Sequence, residues 1–219
     1  MPYKGIYLIG LTGGIACGKS TVLRMLAERG AHVIDADRVT HELQRPGEEV
    51  YDRIVAAFGP EILTQPGGPI DRRRLGAVVF ADPDALRHLE QIVHPAVHAH
   101  ILAWLDEIAH RVADEHVERS TSNVQRAPVA VIDAVKLLEA GWKPLCDAIW
   151  VVTCAPEQQL QRLVATRGLS EEEARARIAA QPPQERRTAL ADVVIDNSGP
   201  LDATRAQVDR AWHAIQLQR

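Results

Sequence analysis

Several things are scarce in this sequence, and each scarcity closes a door. Cysteine is rare: Cys17, Cys146 and Cys154 are the only three in 219 residues. They are odd in number and form no Cys-x-x-Cys pair, which argues against a disulfide scaffold and for free thiols in a reducing compartment. There is no basic excess. The formal net charge of -4 gives no global field that would draw DNA or RNA. No apolar run approaches the roughly 20 residues that a membrane-spanning helix needs. The apolar stretch near the N-terminus is followed by glycines and has no small-residue cleavage pattern, so a signal peptide is not expected, and the cytoplasm is. Internal repeats and low-complexity tracts are absent too.

What is present reads as an ordinary globular chain. It is 46% hydrophobic and 25% charged, and long enough to build its core without covalent staples. Five short runs rich in valine and isoleucine stand out: residues 6–11, 32–35, 128–133, 148–153 and 192–196. Each is nearly continuous in apolar residues, as strands buried on both faces are. Helical segments separate them. The helix after the first run stops at Gly30. Others are predicted over 39–44, 48–58 and 84–93, from Pro95 to about Ala113, over 156–166, from Ser170 to Ala180 and over about 201–217. Ser170 with Glu173 forms a capping box.

Alternating strands and helices predict an α/β fold with a parallel sheet covered on both faces. The stretch from about 37 to 113 is too long for one crossover and is expected to form a helical subdomain. The core is then built from residues 1–36, 128–166 and 190–219. Residues 114–127, DEHVERSTSNVQRA, read as a polar loop.

The chemistry starts at Gly13-Gly-Ile-Ala-Cys-Gly18-Lys19-Ser20. It fits G-x-x-x-x-G-K-[ST] in full, with an apolar strand before it and an amphipathic helix after it. Such a loop curls so that backbone N–H groups point at phosphate oxygens, helped by the partial positive charge of the helix N-terminus. A nucleoside triphosphate is therefore expected here, with Lys19 reaching the β and γ phosphates and the Ser20 hydroxyl holding Mg²⁺. Cys17 has two readings: a filler whose backbone N–H alone matters, or a low-pKa, redox-sensitive thiol.

A signalling GTPase would carry a guanine-reading Asn-Lys-x-Asp. The only asparagines are Asn123 and Asn197, and neither begins one. A small-molecule kinase fits better. The second strand runs into Asp35 and Asp37, where open α/β sheets bind their ligands. Asp37 is the candidate to orient an acceptor hydroxyl and take its proton, with Asp35 in support; one of the two could instead cap the following helix. Among the late arginines, Arg167 precedes Gly168 at a helix end, where a lid would hinge and its guanidinium could neutralise a transferring phosphate. Arg186 and Arg187 stand open between functional and structural roles. Arg175 and Arg177 have plain i,i+4 partners in Glu171 and Glu173. The nine histidines show no metal spacing, though His94 could line an acceptor pocket. Asn197, after the last strand, is a candidate adenine contact.

Taken in order, GLTGGIACGKST, VIDADRVTHEL, HPAV, VIDAVKLLE, the Arg167-Gly168 region and DVVIDNSG resemble the dephospho-CoA kinase family over nearly the whole chain, about residues 9–199. The resemblance implies transfer of the ATP γ-phosphate to the ribose 3′-hydroxyl of dephospho-CoA, the last step of coenzyme A synthesis. It implies a three-layer P-loop NTPase-type fold with a five-stranded parallel sheet, a helical acceptor-binding subdomain and a lid at about 167–189. By the same resemblance Gly14, Ala16, Cys17, Gly18, Lys19, Ser20 and Thr21 hold ATP, Asp37 takes the base position and Arg167 that of the lid arginine. Thr12, Asp37, His94 and Lys136 fall among acceptor-binding positions. The chain departs from the pattern at Val135-Lys136, where a Pro-Leu-Leu run is usual, and at Ala16-Cys17, where Gly-Ser is usual. No nucleic acid or membrane partner is implied, and a monomer is expected. The alternatives are another small-molecule or nucleoside monophosphate kinase on the same scaffold, and a non-catalytic nucleotide-binding module.

Overall fold

The computed structural model describes residues 3–118 and 127–217. These residues divide into two compact units, one formed by residues up to 34 together with those from 109 onward, the other by residues 35–108.

The first unit is built on a five-stranded parallel sheet in the order β2-β3-β1-β4-β5. Its strands are β1 (Tyr7–Gly13), β2 (His32–Asp35), β3 (Val129–Asp133), β4 (Ala148–Thr153) and β5 (Val193–Asp196). β1 pairs in parallel with β3 on one side and β4 on the other, Tyr7 opposite Val129 and Ile9 opposite Ala148. β4 in turn pairs in parallel with β5. All residues of β3 and β4 are buried, which is why the sequence shows them as unbroken apolar runs rather than alternating ones.

Helix α1 (Lys19–Glu28) follows β1, and its Val22, Met25 and Leu26 join a core with Ile9, Trp150 and Ile195. Burying such side chains contributes about 1.5–3 kcal/mol each. The last helix, α9 (Leu201–Leu217), adds Val208 and Ile215 to the same core. Between β4 and β5 lie α6 (Pro156–Arg167), α7 (Glu171–Ala179) and α8 (Gln184–Thr188). Gly168 ends α6 in the left-handed conformation, and Ser170 and Glu173 close the capping box that starts α7. Glu171 pairs with Arg175 as the spacing predicts, and Glu173 turns back to the cap.

The second unit holds α2 (Ala36–Leu43), α3 (Glu49–Phe58), α4 (Arg72–Ala81) and α5 (Pro83–Glu118) as far as Ile108. The sequence reading missed α4, and also α8 in the first unit. α4 is started by Asp71, whose carboxylate accepts from the N–H groups of Arg73 and Arg74. A larger difference concerns Pro95. The sequence predicts a break there, but α5 runs through it. A proline inside a helix removes one rung and crowds the carbonyl four residues back. Here Ile92, Val93, Val97 and Ile101 are buried on either side of it, and this burial outweighs the lost bond. α5 also continues to Glu118, so the first part of the expected 114–127 loop is helical. Residues 119–126 of that expected loop lie outside the described residues.

Candidate functional site

Parallel strands deliver their carboxyl ends to one edge of a sheet, and the residues just beyond each strand collect there. In the first unit this gathers the segment after β1, Asp133 at the end of β3, Cys154 after β4 and Asn197 after β5.

The segment from Gly14 to Gly18 is a loop whose carbonyls are tied from behind. Gln159 Nε2 donates to the Ile15 carbonyl (2.9 Å). Arg162 Nη1 donates to the carbonyls of Ala16 (3.3 Å) and Cys17 (3.4 Å), and its Nη2 donates to that of Asn197 (2.8 Å). Asn197 Nδ2 donates to the Cys17 carbonyl as well (2.8 Å), while Asn197 Oδ1 accepts from Thr204 Oγ1 (2.9 Å). Carbonyl oxygens repel an anion. With three in a row fixed on polar side chains, the loop can present amides instead. The amides of Ala16, Gly18, Lys19 and Ser20 enter no backbone hydrogen bond among the described residues. That of Thr21 is engaged with the Gly18 carbonyl (3.0 Å), and that of Ile15 donates to Gln181 Oε1 (2.9 Å).

The conformation is demanding. Gly18 has φ +86°, and a Cβ there would stand 2.1 Å from Asn197 Nδ2. Ala16 also has positive φ, 56°, where glycine is the cheaper residue. The departure from the usual glycine therefore carries a backbone cost that the sequence alone does not reveal.

Lys19 is the first residue of α1, and its Nζ pairs with the buried carboxylate of Asp133. Sequence reasoning did not select Asp133. The signal was available: an apolar run ending in aspartate, the pattern that drew attention to Asp35. Arg162 and Gln159 were also missed as loop supports, because their role depends on α6 lying against the loop and has no motif. Asn197, expected at the adenine, is 6% exposed and spends its side chain on the loop and Thr204. Thr12 is buried, its hydroxyl donating to the Val135 carbonyl (3.1 Å). Lys136, Arg167 and Arg186 are exposed. Arg187, by contrast, is only 8% exposed and has no acid partner among the described residues. A buried guanidinium without a counter-charge is costly, so this is a position suited to an anion.

Cys17 and Cys154 meet beneath the loop. Hydrogen bonding from Cys154 holds the Cys17 thiol below its ordinary value, and the same contact raises that of Cys154.

In the second unit, Asp35 is the N-cap of α2, its carboxylate accepting from the Arg38 N–H (2.9 Å). Asp37 lies in the first turn of that helix and is exposed. Of the two aspartates, the capping role thus falls to Asp35. His94 is half-buried on α5. A cavity of about 270 Å³ is lined by His41, Arg45, Pro69, Ile70 and Arg72 among others. Arg72 Nη1 stands 2.6 Å from His41 Nε2, and burial, then Arg72, depress the His41 pKa. Two guanidinium groups, Arg45 and Arg72, give this cavity a basic lining, a feature without a sequence motif, while Asp37 and Asp35 act on His41 in the opposite sense.

No group of three metal-ligating side chains occurs among the described residues. Mg²⁺ at a phosphate loop asks for less, since it keeps waters and takes one or two protein oxygens beside phosphate. The exposed Ser20 hydroxyl and the Asp133 carboxylate are hard oxygen donors of the kind it requires.

Comparison with known proteins places the chain in a family. A family model described as dephospho-CoA kinase matches residues 7–108 and 98–203. A dephospho-CoA kinase of Symbiobacterium thermophilum is 48% identical over 207 residues, covering 94% of this chain and 80% of that one. One from Streptomyces avermitilis is 44% identical over 205 residues, covering 93% and 91%. Among solved structures, a Thermus thermophilus protein superposes with a TM-score of 0.71 at 32% identity, over 97% of each chain. A dephospho-CoA kinase from Campylobacter jejuni shares the fold, with a TM-score of 0.56 at 22% identity over 96% of this chain and 98% of that one.

Proposed function

This chain belongs to the dephospho-CoA kinase family and catalyses ATP-dependent phosphorylation of dephospho-CoA to CoA, and from that premise we propose how its residues divide the work. The observation that carries the reading is the phosphate loop: three carbonyls held from behind, an αL glycine, and Lys19 poised on Asp133.

Binding comes first. The amides of Ala16, Gly18, Lys19 and Ser20 and the N-terminus of α1 take the β and γ phosphates of ATP. Lys19 turns from Asp133 to the γ-phosphate as the nucleotide enters. Ser20 and Asp133 would hold Mg²⁺ here, and the ion would supply neutralisation of phosphate charge. The acceptor is an anion as well. Arg45 and Arg72 give its phosphates a cavity with a basic lining, and His94 and Thr12 belong to the acceptor positions by the family pattern. Lys136, exposed after β3, is a further cation for that side.

Transfer then depends on position and charge more than on covalent work by the protein. Asp37, directly after the carboxyl end of β2, orients the ribose 3′-hydroxyl and accepts its proton as the phosphoryl group arrives. Arg167, and Arg187 from its buried position, neutralise the transferring group. Residues 167–189 act as the lid that excludes water, which would otherwise compete as acceptor. Gln181, bonded to the Ile15 amide, ties that lid to the loop. The same reading makes the enzyme a cytoplasmic monomer with no nucleic-acid or membrane partner. No described helix is long and apolar enough to cross a membrane.

The test is ADP release measured across acceptors. Dephospho-CoA is expected to stimulate it strongly, with AMP, CMP and pantetheine inert. Stimulation by a nucleoside monophosphate would move the chain to another kinase class. Intact ATP binding with no acceptor-dependent turnover would make it a binding module.

A further inference from the structure

The mechanism above uses the backbone of Cys17 and leaves its sulfur unassigned. That sulfur lies at the base of the loop, fully buried, and Cys154 beside it is 3% exposed. The two belong to different strand ends: Cys17 follows β1 and Cys154 follows β4, neighbours in the sheet. Gln159 Nε2 approaches the Cys17 sulfur to 3.2 Å, and hydrogen bonding from Cys154, then Gln159 and Gly14, lowers the Cys17 pKa. The Cys154 thiol also lies 3.9 Å from the Ala16 carbonyl. Donors gathered on one sulfur favour its thiolate, the form that acts as nucleophile. The neighbouring thiol stays protonated within reach, which is the arrangement of an attacking and a resolving cysteine.

We propose that Cys17 and Cys154 are a modification site: hydrogen peroxide joins them in a reversible disulfide that disables the phosphate loop. The Cys17 thiolate attacks a peroxide oxygen. The O–O bond breaks and an S–O bond forms, giving a sulfenic acid on Cys17 and, after uptake of one proton, one water. The Cys154 sulfur then attacks the sulfenic sulfur. The S–S bond forms, the S–O bond breaks, and the hydroxyl leaves with the Cys154 proton as a second water. Two thiols have lost two electrons and the peroxide has gained them. A small oxidant is required, because both sulfurs are buried and a bulky disulfide such as oxidised glutathione has no approach. Drawing the sulfurs from hydrogen-bonded to covalent separation moves Cys17 between Ala16 and Gly18, the residues whose amides face the phosphate. Cys146 is an internal control. Burial, with Asp147 beside it, pushes its thiol up to about 12, away from the range in which a thiolate forms readily.

The consequence for activity rests on the loop's reading as the ATP site; formation of the bond does not. The test separates them. Full-length enzyme is treated with hydrogen peroxide, quenched by alkylation and digested without reductant. Mass spectrometry is expected to find the Cys17 and Cys154 peptides linked. In parallel, ATP binding and kinase turnover are expected to fall by about a hundredfold, the scale on which displacing aligned amides acts, and to return with dithiothreitol. Cys154→Ala, with Cys154→Ser as the second variant should the first fold poorly, is expected to keep basal activity. It should lose activity to peroxide irreversibly, as Cys17 proceeds to the sulfinic acid. Cys146→Ala is expected to behave as the parent. Absence of the 17–154 linkage, or full recovery of the Cys154 variants after dithiothreitol, would each overturn the proposal. A linkage that leaves ATP binding untouched would retain the site and overturn its effect on the loop.

Discussion

Replacing Asp37 by asparagine keeps size and shape and removes only the ability to take a proton. Turnover is expected to drop by roughly 10²–10⁴ while ATP affinity, measured by titration of a fluorescent analogue, holds. Near-normal kcat in the steady state would take Asp37 out of the base role. Gly18→Ala has a different signature. Its Cβ would meet Asn197 Nδ2 at 2.1 Å from a backbone at φ +86°, so ATP binding and the melting temperature should fall together. A variant that melts like the parent and binds ATP normally would refute this account of the loop. The thiols make a third case. Because Cys154 is the largest cause of the lowered Cys17 pKa, one thiolate should appear by ultraviolet absorbance below the ordinary thiol range as pH rises. It should shift upward in Cys154→Ala; an unchanged titration would assign the thiolate elsewhere. At this scale the motif residues were legible because their spacing is fixed by local backbone geometry. Asp133, Arg162 and Gln159 were not, since each acts on residues more than a hundred positions away.

Among the elements, α6 bears most on the site. One of its residues, Arg162, holds three carbonyls, and hydrogen bonds from a charged donor are worth about 1.5–3 kcal/mol in favourable settings. Arg162→Met should raise the KM for ATP several-fold and leave the KM for dephospho-CoA near its parent value. Equal effects on both would mean that α6 does more than brace the loop. The inner strands β3, β1 and β4 were readable from composition, because burial on both faces demands unbroken apolar runs; β2 and β5, expected to be buried in the same way, lie at the sheet edges with Val33 and Val194 exposed. The α7 start was readable because a capping box is a local device. α5 was misdivided at Pro95 for a complementary reason. A proline reports on one hydrogen bond, whereas the helix is decided by the buried residues around it.

For the molecule as a whole, stability draws on a core with few polar intrusions. Trp150 is an exception: its Nε1–H is buried without a hydrogen-bond partner among the described residues. An unsatisfied donor costs about 1–3 kcal/mol, and loss of the indole would cost packing of similar size. Trp150→Phe is therefore expected to alter the chemical denaturation midpoint little. A large drop would show that ring volume dominates. The broad architecture, sheet plus helical insert, was legible because strand and helix periods alternate along the chain. The basic cavity near Arg72 was not, since it is assembled from residues 41–72 by tertiary packing.

The order of the strands has a consequence for synthesis. β1 is central, yet both of its neighbours, β3 and β4, lie far downstream, with Tyr7 facing Val129. At about 5–20 residues per second, a nascent chain carries this apolar segment from the ribosome for several seconds before any partner strand emerges. The strand that leads into the phosphate loop is thus the one left longest without its partners, and the one a holding chaperone would shield at birth.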